Sequence, residues 1–214
     1  MDPPGTCAPA LGGNRPHVSA RILDRFIPHP DAGGRHEITI HAPAAFVLNI
    51  ARNYDIESVA LVHAIFWLRA KLLGAPLPAE RPQTGLVANM EELGWRCLAE
   101  EAGHFYMAGA VCRPWLPDVV FAAIPPELFA VYTAPDQVKI AWTIEAEPLG
   151  PAPTRFATET RAAATDDQSR IKFRRYWRKF GIGIVLIRRL LLPAVRREAE
   201  RQWKDSQTAA LAAH

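Results

Sequence analysis

The sequence predicts an α+β domain in which a curved antiparallel sheet packs on one long, bent C-terminal helix. Three observations carry this. First, "QVKIAWTIEAEPLG" and "PTRFATETRAAA" read as a hairpin, with Val138, Ile140, Trp142 and Ile144 on one face and Lys139, Thr143, Glu145 and Glu147 on the other. Second, Phe173, Trp177, Phe180, Ile184, Ile187, Leu191 and Val195 recur at helical spacing and form one apolar stripe. Third, Thr165-Asp166-Asp167-Gln168 has the form of a capping box, with acids at the positive helix end.

The remaining elements follow in order. Residues 1–20 are rich in Pro, Gly and Ala and predict a disordered segment. Residues 22–34 read as an irregular lead-in anchored by Ile22, Phe26 and Ile27. "RHEITIHA" (35–42) alternates apolar and polar residues and predicts a strand. Pro43 opens a short helix over 43–53, and Asp55 caps a second over about 56–73. Residues 75–93 show no clear period, with a short strand expected near Leu86. Two strands, 94–101 and 104–115, meet at a tight turn at Ala102-Gly103, and "PELFAVY" opens a helical turn. The domain spans 21–205, with a disordered tail over 206–214.

Length tests the terminal helix. Forty helical residues span about 60 Å, more than the roughly 44 Å diameter of a compact domain of this size. Gly181 and Gly183 each cost about 1 kcal/mol inside a helix, and Pro193 cannot donate to the Arg189 carbonyl. A break or bend at 181–183 and a kink near 190–193 are expected.

Composition narrows the function classes. The chain has 214 residues, 49% hydrophobic and 22% charged, which suits one large folded domain. Cys7, Cys97 and Cys112 form no CxxC pair, so neither a disulfide framework nor a zinc site is indicated, and a reducing cytoplasm is the expected setting. The start has no basic and apolar signal pattern. The longest uncharged run outside it, Ile38 to Ala51, is 14 residues, short of the roughly 20 a spanning helix needs. Net charge is +3, yet Thr165–Lys204 holds 12 Lys/Arg against 4 Asp/Glu. The ordinary reading of that segment is a solvated helix back. The alternative is weak peripheral contact with anionic lipid. Nucleic acid is not expected as a partner, and the oligomeric state is left open.

Several segments resemble bacterial proteins of the SRPBCC superfamily, the START/polyketide-cyclase/Bet v 1-like group. They are "LDRFIP" (23–28), "RHEITIHAP" (35–43), "LAEEAG" (98–103), the spaced Gly109, Arg113 and Trp115, "KIAWTIEAEPLG" (139–150), "TRFATETRAAATD" (154–166) and "FRRYWRKF" (173–180). The resemblance implies a helix-grip fold with a cavity between sheet and helix for an apolar or amphipathic small molecule. It carries over no catalytic residue and no cofactor. Where the similar proteins often read Pro-Gly-Ser-Gly, this chain has "FGIGIVLI" (180–187).

The candidate pocket follows from strand phase. Phe156, Thr158 and Thr160 share the inward face of 154–164. A buried hydroxyl needs a partner, because leaving one unpaired costs roughly 1–3 kcal/mol. A ligand, a water or a neighbouring backbone carbonyl would serve. The ligand-binding set is therefore Trp142, Phe156, Thr158, Thr160, Phe173, Trp177 and Phe180. Plain core packing explains the aromatics equally well, since ligand pockets are themselves mostly apolar.

Other constellations are weak. The seven histidines have no ligand spacing, and His36 and His41 face opposite ways on one strand. No metal or cofactor is expected. A pairing of His104 with Cys97 or Cys112 as a nucleophile would need a contact that sequence does not supply. No serine lies in GxSxG. Glu145, Glu147 and Glu159 have the outward phase and read as a solvated charge ladder. The leading expectation is a non-enzymatic binder or carrier of a hydrophobic small molecule. The alternative is a cyclase/dehydratase-like enzyme for a polyketide-like or aromatic substrate, using His63, Tyr106 or Tyr176 as acid/base groups.

Overall fold

In the computed structural model, the described residues are 18–55, 71, 72, 74 and 85–212. The N-terminal segment to residue 17, most of the helix expected over 56–73, and His63 lie outside them.

The element order is α1 (Val18–Phe26), β1 (Ala32–His41), α2 (Ala44–Arg52), α3 (Leu86–Glu92), β2 (Arg96–Glu101), β3 (Phe105–Cys112), α4 (Pro126–Phe129), β4 (Val138–Pro148), β5 (Pro153–Ala164) and α5 (Asp167–Ala212). The five strands form one antiparallel sheet in the order β1-β5-β4-β3-β2. With the long terminal helix packed on it, this is an α+β helix-grip architecture.

The period-two reading of the β4–β5 hairpin holds. Trp142 pairs with Thr160, Ile144 with Thr158 and Ala146 with Phe156. Ile38 pairs with Phe156 from β1, and Ala108 with Trp142 from β3. This inner face builds the main core with α2, α3 and the second half of α5, through Val47, Leu48, Leu86, Leu191, Leu192 and Val195.

α5 is a bent but unbroken helix of 46 residues. At 181–183, where a break or bend was expected, the helix runs on without a break, and the reason is packing. Gly181 is buried inside the helix, and a Cβ there would lie 2.9–3.0 Å from the Trp177 indole. The glycine makes room for a ring one turn earlier. Pro193 also lies within the helix. The cap is shifted one residue from the expected box. Asp166 Oδ1 accepts the Ser169 amide at 2.8 Å, and the Asp166 amide donates to Ser169 Oγ at 3.1 Å. Thr165 instead ties to Gln137, donating to its carbonyl at 3.0 Å.

Other expectations need correction. The lead-in is the helix α1, because Ile22, Leu23, Phe26 and Ile27 fall on one helical face and bury against the sheet. The strand expected near Leu86 is the helix α3. The tail expected from 206 is helical to Ala212. Cys97 is disulfide-bonded, which the sparse, odd cysteine set did not predict.

The outer face of the sheet is also buried. Leu98, Phe105, Met107, Val111 and Ala141 pack under α1 and α4. Phe26 and Phe129 meet edge to face at 5.9 Å. Gly109 is required there, since a Cβ would lie 2.5 Å from Leu98 Cδ1. Glu145 and Glu159, expected in solvent, are only 6% and 8% exposed. Arg35 reaches Glu145 at 3.0 Å and Glu159 at 3.6 Å, and Arg161 holds Glu159 at 2.8 Å. Ser19 of α1 donates to Glu145 at 2.7 Å. The outward phase was right, but α1 covers it.

Candidate functional site

The candidate site is the seam where the sheet meets the second half of α5. Its floor is apolar. Ile38, Phe156, Ile144, Trp142 and Tyr106 belong to one packed cluster with Leu191, Leu192 and Val195. Tyr106 and Trp142 meet edge to face, with centroids 6.4 Å apart.

The polar atoms of the floor pair within the protein. Trp142 Nε1 donates to Thr158 Oγ1 at 2.9 Å, and Thr158 Oγ1 donates to the Thr143 carbonyl at 2.8 Å. The inward threonine is therefore satisfied by a backbone carbonyl. Strand pairing forces this arrangement, since Thr158 sits between Ile144 of β4 and His36 of β1.

A groove of about 210 Å³ opens at the seam. β1 lines it with His36, Glu37 and Ile38, and α5 lines it with Arg189, Leu192 and Pro193. Ile38 and Leu192 join it to the floor. Arg189 is exposed and has no ion-pair partner among the described residues. Pro193 supplies no amide to the Arg189 carbonyl, which leaves an acceptor on this turn without its helical donor.

The seven expected site residues fall into two groups. Trp142, Phe156 and Thr158 lie on the seam floor, and Thr160 has the same phase beside Trp142. Phe173 packs on Val138 and Ala162 at the start of α5, with Trp177 and Phe180 half-buried beside it. Ile140 touches both clusters. Ile38, Arg189 and Leu192, which line the groove, were outside the expected set. The alternation of β1 was a signal for Ile38 alone.

Tyr106 is the phenol that an enzyme would use here. Its hydroxyl donates to Glu91 at 2.9 Å, and the Arg52 guanidinium lies 4.7 Å from the ring centre. Burial, reinforced by the Glu91 charge and hydrogen bond, pushes its pKa well above the ordinary phenol value. That moves it away from the range where a general acid or base works. Tyr176 lies instead in the first-half cluster of α5. His104 is exposed in the β2–β3 turn. Among the described residues no group of acids, histidines and cysteines could hold a metal ion.

A second groove, about 250 Å³, lies on the first half of α5. Trp115, Tyr176 and Phe180 form its walls, with Lys172, Arg175 and Lys179 around them. The Tyr176 and Phe180 rings meet at a tilt, with centroids 5.0 Å apart.

The architecture is therefore of the helix-grip class that the sequence resemblance implies. No family model and no curated protein matches the chain. Three solved structures are similar to it at low identity. A conserved protein from Geobacillus kaustophilus is 10% identical with a TM-score of 0.38, covering 79% of this chain and 96% of that one. The Zhui aromatase/cyclase from Streptomyces sp. R1128 is 15% identical with a TM-score of 0.28, covering 80% and 94%. DR_A0006 from Deinococcus radiodurans is 15% identical with a TM-score of 0.29, covering 71% and 99%.

Proposed function

We propose that the chain binds and carries an apolar or amphipathic small molecule at the seam between sheet and α5. The observation behind this reading is the groove itself. It combines Ile38 and Leu192, apolar residues from both partners, with a rim of His36, Glu37 and the exposed Arg189, Glu37 being paired with Arg35 at 3.6 Å. Polar groups that converge on apolar residues are the usual make-up of a ligand site. An acidic head group on Arg189 and a chain end or ring against Ile38 and Leu192 would fit it. A groove of about 210 Å³ is below the ~300–1,000 Å³ of typical drug-sized sites, so the ligand is small or only partly enclosed.

A carrier reading is preferred to a cyclase/dehydratase. The floor's polar atoms are paired with one another, and the pKa of Tyr106 is shifted away from neutrality. Native mass spectrometry of the full chain with added decanoate tests the proposal. A one-to-one adduct that Arg189→Gln weakens is expected. No adduct with the wild type, or an unchanged one in the variant, would overturn it.

A further inference from the structure

The outer side of α5 has a composition that neither the fold nor the seam requires. Between Gln168 and Arg197 the helix carries ten Lys/Arg and no Asp/Glu. Near its start, cations are neutralised by neighbours: Arg170 pairs with Asp31 and Asp167, and Lys172 pairs with Asp136. Beyond that point Arg175, Arg178 and Lys179 are exposed and make no ion pair among the described residues.

Apolar side chains stand among those cations. Ile171, Arg175, Arg178, Ile182 and Leu186 follow one another at intervals of three or four, so they share one side of the helix. That side lies opposite Phe173, Tyr176 and Phe180, which pack inward. Ile182 is 81% exposed, Ile171 47% and Leu186 38%. The aromatic groove of Trp115, Tyr176 and Phe180, edged by Arg175 and Lys179, lies alongside.

We propose that this side of α5, from Ile171 to Leu186, seats the protein on a bilayer surface containing anionic lipid. A helix that is basic on its outer side and carries exposed aliphatic residues there lies in the plane of the headgroups. Arg175, Arg178 and Lys179 meet lipid phosphates, and Ile182 and Leu186 dip into the acyl boundary. A solvated helix back has no use for Ile182, and a nucleic-acid backbone offers it no apolar partner. No helix of the described residues is long and apolar enough to cross a membrane, so this is surface contact. The inference does not depend on a ligand at the seam.

Sedimentation of the full chain with vesicles tests it. One set is phosphatidylcholine alone, and the other includes phosphatidylglycerol, each at low and high salt. Binding to the anionic vesicles that weakens with salt is expected. The triple variant Arg175→Glu, Arg178→Glu, Lys179→Glu is expected to bind about a hundredfold more weakly. Ile182→Ser, at an exposed position, is expected to weaken binding severalfold with its thermal melt unchanged. Absence of binding to anionic vesicles at low salt, equal binding to neutral ones, or undiminished binding by the triple variant would overturn the proposal. So would capture of a DNA or RNA duplex in place of vesicles.

Discussion

The two faces of the sheet are buried by different chemistry. The inner face is covered by α5 and is almost wholly aliphatic and aromatic, with its indole and hydroxyl paired across strands. The outer face is covered by α1 and holds an ionic network of Arg35, Glu145, Glu159, Arg161 and Ser19 beside an apolar patch. Apolar burial is non-directional and tolerates sliding. An ion network fixes one register, because every member needs its partner. The ionic side therefore fixes α1 through directional pairs, while α5 meets β1 mainly through apolar packing, tied at its far end where the His41 amide donates to Glu200 at 3.0 Å.

Variants on each face sharpen this contrast. The largest effect is expected from Phe156→Ala, fully buried at the centre of the inner face. Its loss should cost about 4 kcal/mol in urea unfolding. Arg35→Met should cost about 3 kcal/mol, because it leaves two buried carboxylates short of a cation. Adding Glu145→Leu to Arg35→Met should recover most of that loss, whereas a second apolar truncation beside Phe156 should deepen its loss. If the double variant is no better than the single, the outer face is not governed by ion pairing.

Smaller effects follow. Thr158→Val removes the acceptor for Trp142 Nε1, and should cost about 1–2 kcal/mol. Thr158→Ser should restore it. Asp166→Ala should lower Tm by a few degrees, because it removes the cap of α5. The Asp166 carboxylate accepts the Ser169 and Asp136 amides, which hold its pKa below the ordinary value. Its contribution is thus complete above the unfolded-state pKa and is lost as pH falls through the folded one. Wild type and Asp166→Ala should therefore converge in Tm at low pH.

The inner face was legible in the sequence and the outer face was not. Val138, Ile140, Trp142 and Ile144 alternate cleanly, so β4 and its partner face followed directly. Glu145 and Glu159 occupy the solvent phase of the same strands, and nothing local marks them as buried. Glu145 is covered by Ser19 of α1, more than a hundred residues away, and Glu159 is held between Arg35 and Arg161. α1 itself was obscured by Pro28, Pro30 and the Gly33-Gly34 pair that follow it. Propensity allowed a break or a bend at Gly181, and only the packing shows that the helix is continuous there, the glycine accommodating the Trp177 ring. The seam groove was half legible. Phase placed Phe156 and Trp142, but the approach of Arg189 to β1 depends on how α5 lies.

The seam is tested most directly by fluorescence titration with anilinonaphthalene sulfonate, an apolar ring system with one acidic group. Wild type should show saturable one-to-one binding that added decanoate displaces. Arg189→Gln should weaken it while the fold persists by circular dichroism. No saturable binding to wild type, or binding that the substitution leaves unchanged, would contradict a ligand site between sheet and helix.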